Sequence, residues 1–267
     1  MGIVTLLSDF GGSDGYVGAM KGAILSVCPG AILVDLGHDI AMGDVRGGAV
    51  ALARAAATFP PQTVHLAVVD PGVGGGRRGL ALASGGSFFV GPDNGLLSLA
   101  APRAAKIVVL DDEAFHLKPV SCTFHGRDVF APVAGRLAAG TPIERLGSLA
   151  QSMQALAVAA AVCEGSMIRG EITGADHFGN LATNIASENL AGLSTVRVEV
   201  AGVGIDGLSR TYVDAAEGEL LALVSSSGTL EIALRGGSAR RRLGPGAAAG
   251  SAVLVTEGGR RRRPGAS

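Results

Sequence analysis

Residues 3–12 read IVTLLSDFGG, and the fold follows from how this stretch changes character half-way. Ile3 to Leu7 is an apolar run without strict polar alternation, the pattern of a strand buried on both faces. It ends in Ser8-Asp9-Phe10-Gly11-Gly12, as a parallel strand does where its carboxyl end opens into a loop. Further on, Tyr16 to Val27 carries Val17, Met20, Ile24 and Val27 on one helical stripe, stopped by Pro29-Gly30. Ala31 to Leu36 reads as the next strand. Asp44 to Thr58 reads as an Ala-rich helix ended by Pro60-Pro61, and Val64 to Val69 as a strand closed by Asp70-Pro71-Gly72. Leu80 to Ala83 and Ser87 to Val90 flank Ser84-Gly85-Gly86 as a hairpin; Lys106 to Leu110 is a strand and Val129 to Ala139 a helix. Strands alternating with helices predict an α/β domain on a parallel sheet with right-handed crossovers.

The pattern changes after Pro142. Leu149 to Cys163 is an Ala-rich connector, and the segments beyond it are short, alternating and separated by Gly and Asp turns. Met167 to Thr173, Thr195 to Val200, Leu220 to Val224, Leu230 to Ala233 and Ala252 to Thr256 predict a smaller C-terminal β-barrel-like domain. The expected organisation is 1–160 α/β, 161–258 β-rich and 259–267 a basic, disordered tail. No internal repeat is visible.

Composition narrows the function classes. Hydrophobic residues make up 48% and charged residues 17%, which excludes a disordered chain. A net charge of -1 offers no attraction to nucleic acid or an anionic membrane, and the basic clusters Arg240 to Arg242 and Arg260 to Arg263 read as solvated surface. Cys28, Cys122 and Cys163 are odd in number and widely spaced, against a disulfide framework or zinc ribbon and for a reducing compartment. The N-terminal apolar run is too short for a signal-peptide core, and Ala155 to Cys163 is too short for a membrane span, so the expectation is a soluble cytoplasmic protein.

In parallel sheets ligands bind beyond the carboxyl ends of the strands, where Asp9 and Asp70 fall. Either could be a turn or cap residue. The glycines after each let a ligand approach the backbone, which favours a site. The Gly72 to Gly76 loop lacks the order of a phosphate-binding motif, and no metal-ligand spacing such as HExxH occurs. Asp93-Asn94-Gly95 reads as a turn. Thr123-Phe124-His125-Gly126-Arg127-Asp128 differs in placing an imidazole, a guanidinium and a carboxylate in one loop before a helix; a capped helix start would explain Arg127 and Asp128 but not His125.

Six segments, in order, resemble the S-adenosyl-L-methionine hydroxide adenosyltransferase family, relatives of fluorinase and chlorinase enzymes. They are SDFGxxDxYVGxMKG at Ser8 to Gly22, VDPGVG with a following Arg at Val69 to Arg77, VGPDNG at Val90 to Gly95, TFHGRDxFAP at Thr123 to Pro132, DxFGNxxTN at Asp176 to Asn184, and SSGxLEIAxxxGSA at Ser226 to Ala239. The resemblance implies hydrolysis of S-adenosyl-L-methionine to adenosine and methionine without cofactor or metal, and a homotrimer with active sites between subunits. It places Asp70, Arg77 and His125 around the attacking water, and Asp9 on the ribose hydroxyls with Asp14 nearby. Phe178, Asn180 and the backbone of Leu234 to Gly236 would hold adenine. Asp176 and Ser226-Ser227 lie toward the methionine end, and Phe124 and Glu231 also line the substrate. Arg78 beside Arg77 leaves open which one faces the site, with the family's spacing favouring Arg77, and Arg235 stands where the family often has Asn.

The chemistry suits these residues. The substrate is a sulfonium cation whose charge is lost as the nucleophile attacks C5′, so a dry pocket favours the transition state and no metal is needed at the leaving group. Water must be held in line, and either Asp70 or His125 could take its proton. Two other readings share the binding residues: a halogenase, against which Asp70 and the short link from Arg78 to Phe88 argue, and a binding protein without turnover. A metal-dependent hydrolase using Asp9, Asp70 and His125 fails on spacing.

Overall fold

The computed structural model describes residues 2–157 and 159–258. The chain divides into two compact units that meet between Leu156 and Ala157. The tail expected at 259–267, with Arg260 to Arg263, lies outside the described residues.

The first unit is built on a seven-stranded sheet: β1 (Ile3–Ser8), β2 (Ile32–Gly37), β3 (Val64–Val68), β4 (Gly79–Ser84), β5 (Ser87–Pro92), β6 (Lys106–Val109) and β7 (Ser148–Leu149). Their spatial order is β2-β1-β3-β5-β4-β6-β7. The first four in that order run parallel, and the hairpin partner β4 introduces antiparallel pairing. Helices α1 (Tyr16–Val27) and α3 (Ala131–Ala138) bury Met20, Ile24, Val133 and Leu137 against Leu6, Leu66 and Val68 on one face. Helix α2 (Val45–Ala56), capped by the Asp44 carboxylate accepting from Gly47 N, packs Ala49 and Leu52 on the other. The sheet is therefore covered on both sides, which is why β1 and β3 read as unbroken apolar runs.

The helix expected from Val129 starts earlier, as a single π turn over Gly126–Phe130. Pro132 has no N–H to give Asp128 O, four residues back, and that carbonyl accepts from Leu117 N at 2.8 Å. The widened turn carries His125 at its N-cap.

The second unit is an antiparallel sheet of β8 (Val162–Glu164), β9 (Met167–Ala175), β10 (Leu181–Ala186), β11 (Val196–Val200), β12 (Val203–Asp206), β13 (Leu220–Val224), β14 (Thr229–Leu234) and β15 (Ala252–Glu257). The main order is β12-β11-β15-β9-β10-β14-β13. Ser209 N donates to Ala222 O at 2.8 Å and brings the two edges together, so the sheet nearly closes around Ile172, Leu181, Val198, Ile232 and Val255. Strand β10 was not expected from sequence. Its Thr183 is buried and donates its hydroxyl to Leu230 O, so a polar residue sits where alternation calls for an apolar one.

His65, mid-strand in β3, is buried, shares a 2.8 Å hydrogen bond with Thr5 Oγ1, and stacks on Phe89. Burial pushes its pKa down to about 4 from 6.5. The unfolded chain therefore binds the extra proton between those values, so this residue's contribution to stability is complete above about pH 6.5 and is lost as pH falls toward 4. Urea titrations should show stability dropping by about 2–3 kcal/mol across that window, and His65→Leu should flatten the slope.

Candidate active site

The loop after β3 and the loop before the π turn meet through one guanidinium. Arg77 Nε donates to both Asp70 oxygens at 3.0 Å, and Arg77 Nη2 donates to Asp70 Oδ2 and, at 2.8 Å, to His125 Nδ1. The Asp70 side chain is 4% exposed and that of Arg77 12%, with the guanidinium over the Phe130 ring at 5.1 Å. Arginine only donates, so His125 Nδ1 must accept and the ring proton sits on Nε2. Burial first, and then the Arg77 charge, hold the His125 pKa below its ordinary value. The result is an ionic pair with a neutral imidazole whose free edge is a donor. Asp70 and His125 both face a fixed cation, which is not how a metal-ligand set is arranged.

Gly74 makes this meeting possible. It sits at φ +76°, and a Cβ there would lie inside the carbonyl oxygen of Cys122. The glycine-rich loop is thus a close approach of two loops, in keeping with its lack of phosphate-motif order. Arg78 turns elsewhere: it pairs with buried Asp93 and donates to Ser152 O at 2.9 Å, while Gln154 N donates to Asp93 Oδ1. Arg78 and Asp93 tie down the connector, and Arg77 is the arginine at the Asp70–His125 pair. A cleft of about 390 Å³ opens here, lined by Asp70, Gly72, Arg77, Asp93 and Asn94 among others. Arg127 pairs with Asp128, which also accepts from Ser121 N, so these two brace the His125 loop.

Asp9 follows β1 and accepts from Gly43 N at 2.9 Å through Oδ2. Asp14 is exposed and takes the Ser13 hydroxyl at 3.3 Å. Phe124 belongs to a triangle of rings with Phe10 and Tyr16, their centroids 5.2 to 5.9 Å apart. Tyr16, 49% exposed, was not singled out from sequence, where it reads only as the start of the α1 stripe.

The other expected residues lie on the second unit. Asp176 accepts from Asn180 N at 2.8 Å and Asn180 Nδ2 at 3.0 Å, closing the DHFGN turn and aiming Phe178, 75% exposed, outward. Asn180 Nδ2 gives one of its two hydrogens to Asp176, and the Asn180 main-chain oxygen accepts from Asp176 N at 3.0 Å. A cleft of about 460 Å³ lies beside it, lined by Asp176, His177, Phe178, Ser238 and Arg240 among others. Ser226 and Ser227 sit exposed at the β13–β14 turn, with Ser227 Oγ 2.8 Å from Ser225 Oγ. Glu231 accepts from the Tyr212 hydroxyl at 2.8 Å, and burial together with that bond pushes the Tyr212 pKa up to about 12. Tyr212 too was missed; its only sequence signal is the short Thr211–Asp214 cap. Arg235 donates to Val213 O and Ala215 O, and its own N–H and C=O bond to Glu219 O and Gly218 N. Leu234 O accepts from Gly237 N, and Gly236 turns at φ +71°. The segment holds itself through both side chain and main chain, and the Arg235 side chain is engaged with Val213 O and Ala215 O.

In one unit Asp70, Arg77 and His125 gather at the carboxyl end of the parallel strands, and the other unit is a nearly closed antiparallel sheet with Phe178 exposed on it. The chain belongs to the SAM hydroxide adenosyltransferase family: the family's N-terminal domain model matches residues 4–147 and its C-terminal domain model residues 170–250. It is 40% identical to a protein named (R)-S-adenosyl-L-methionine hydrolase from Salinispora tropica, over 96% of this chain and 98% of that one. A protein of the same name from Thermus thermophilus is also 40% identical, over 90% and 95%. A fluorinase from an Actinoplanes species is more distant, at 29% over 86% and 90%. Among solved structures, an uncharacterized conserved protein from Thermotoga maritima matches with TM-score 0.88 and 34% identity, covering 95% of this chain and all of that one.

Gly74→Ala should destabilise the chain by about 2 kcal/mol or more, because it combines left-handed strain with a backbone clash. Gly76→Ala, with nothing near its Cβ, should change stability by less than about 0.5 kcal/mol. Urea midpoints of the two variants check this.

Proposed function

We propose that the chain hydrolyses S-adenosyl-L-methionine to adenosine and L-methionine, by in-line attack of a water-derived oxygen on ribose C5′. The observation that carries this reading is the single guanidinium gripping Asp70 and His125, with Asp70 and Arg77 lining a cleft, in a chain whose curated relatives bear the hydrolase name. An O–C5′ bond forms, the C5′–S bond breaks with its electron pair going to sulfur, and one proton is released. Asp70 accepts a hydrogen of the water, and His125 Nε2–H donates to its oxygen, which aims the remaining lone pair at C5′. With Nδ1 facing Arg77, His125 orients rather than deprotonates, which favours Asp70 as the proton acceptor. Both side chains keep these roles only while the imidazole is neutral.

Asp9 takes the ribose hydroxyls with Asp14 nearby, Phe124 lines the sugar, Phe178 stacks on adenine, and the Asn180 side-chain amide and the main chain of Leu234 to Gly236 meet the base edge. Asp176, Glu231, Ser226 and Ser227 serve the methionine end. A sulfonium with three different carbon groups is a stereocentre, and the relatives' name specifies the R configuration; the same epimer is the substrate proposed here. No cofactor or metal takes part. A cytoplasmic homotrimer with active sites at subunit interfaces completes the reading, on the support of family membership. Halide as nucleophile is disfavoured because a buried carboxylate repels an anion, and because the fluorinase relatives are the more distant ones.

Purified protein incubated with each sulfonium epimer in chelator, with and without chloride, should give equal adenosine and methionine from the R epimer regardless of chloride. A 5′-halogenated adenosine, or unchanged substrate, contradicts the reading. Asp70→Asn and His125→Gln should each lower kcat by about a hundredfold or more. Because His125 works neutral and its pKa lies below 6.5, kcat should fall on acidification with a midpoint below 6.5, and that limb should vanish in His125→Gln.

A further inference from the structure

Beside Asp9 lies a chain of polar side chains that the proposed chemistry does not use. Ser8 Oγ is 2.7 Å from His38 Nδ1, His38 Nε2 is 3.1 Å from Asp35 Oδ1, and Lys21 Nζ is 2.6 Å from Asp35 Oδ2. Its hydrogen directions are fixed from one end. Lys21 can only donate and Asp35, as a carboxylate, can only accept, so His38 carries its proton on Nε2 and gives it to Asp35. His38 Nδ1 shares a hydrogen bond with the Ser8 hydroxyl, and Ser8 Oγ also receives Phe10 N at 3.4 Å. Lys21 and His38 hold the Asp35 pKa low against the opposing effect of burial.

The backbone explains how His38 reaches Ser8. Strands β1 and β2 pair in register through Leu6 and Asp35, and then the register jumps to Leu7 and Gly37. That irregularity at the sheet edge re-aims the chain leaving β2 over the end of β1. Three links then join the two loops: Ser8 Oγ to His38 Nδ1, Gly11 N to His38 O at 2.8 Å, and Gly43 N to Asp9 Oδ2 at 2.9 Å. His38 supplies two of the three, one on either side of Asp9 in sequence. A Ser-His-Asp order suggests a nucleophile, but Ser8 is fully buried and bonds Nδ1, so its hydroxyl has no open face for a substrate.

We infer that His38 is a positioning residue for Asp9, locking the carboxylate's orientation toward the vicinal ribose hydroxyls and so setting selectivity for a ribonucleoside. The inference rests on Asp9 as the ribose-binding carboxylate of the proposed reaction. A side chain that merely stabilised the fold would weaken all ligands alike; one that aims Asp9 affects only ligands carrying the hydroxyls.

The test is calorimetric binding of adenosine and 2′,3′-dideoxyadenosine to the full chain and to His38→Ala, Ser8→Ala and Asp9→Asn, with thermal melts of each. The unsubstituted protein should prefer adenosine by about tenfold or more, as bonds to a charged acceptor imply. Asp9→Asn and His38→Ala should both collapse that preference toward unity while dideoxyadenosine affinity stays within about twofold. Ser8→Ala, which removes one oxygen from the same link, should erode the preference even if His38→Ala does not fold. An unsubstituted protein that binds both nucleosides equally, or variants that keep the full preference, would overturn the inference. Binding is read without turnover: hydrolysis with selectivity intact in His38→Ala sinks the positioning role alone, and collapsed selectivity without hydrolysis sinks the reaction alone.

Discussion

A guanidinium can hold a carboxylate on one edge and still reach a second acceptor with Nη2, and Arg77 uses both capacities at once. This imposes a protonation pattern on its neighbours. Asp70 must face the cation as a carboxylate, and His125 must present a lone pair to it, which leaves the Nε2 proton outward. The arrangement stays fixed because Arg77 is packed over Phe130 and the surrounding loops are pinned. Removing the cation would leave a nearly buried carboxylate uncompensated, a costlier loss than a missing hydrogen bond.

Topology brings those loops together. In the parallel part of the sheet β1 and β3 are neighbours, so Asp9 and Asp70 emerge side by side at the carboxyl ends. Gly43 N holds Asp9, and Gly74 lets the Asp70 loop lie directly on Cys122, two residues from Phe124. Pro132 opens the helix start into a π turn, with His125 at its cap. Each irregularity falls beside a candidate site residue, and the regular apolar packing of the two sheet faces supports them.

Much of this was legible in the sequence, for reasons that differ by residue. Helix α1 has the expected bounds because Met20 and Ile24 form a clean buried stripe. Asp9 and Asp70 were visible as strand-end acids before glycines, and His125 as an imidazole that helix capping left unexplained. Between Arg77 and Arg78 only the family's spacing favoured Arg77, since neighbouring loop residues carry no periodicity; the coordinates show Arg78 bound to Asp93. The polar buried position of Thr183 hid β10. His38 and Tyr212 escaped because their partners, Ser8 and Glu231, are 30 and 19 residues away, a separation that spacing rules do not span.

The central claim is that an oxygen from water, held by Asp70 and His125 on either side of Arg77, attacks the ribose carbon rather than any carbon of the amino acid. Turnover in water enriched with oxygen-18, followed by mass analysis of both products, tests it directly. The account predicts adenosine two mass units heavier, with the label on its 5′ oxygen, and methionine unlabelled. Unlabelled adenosine would contradict it.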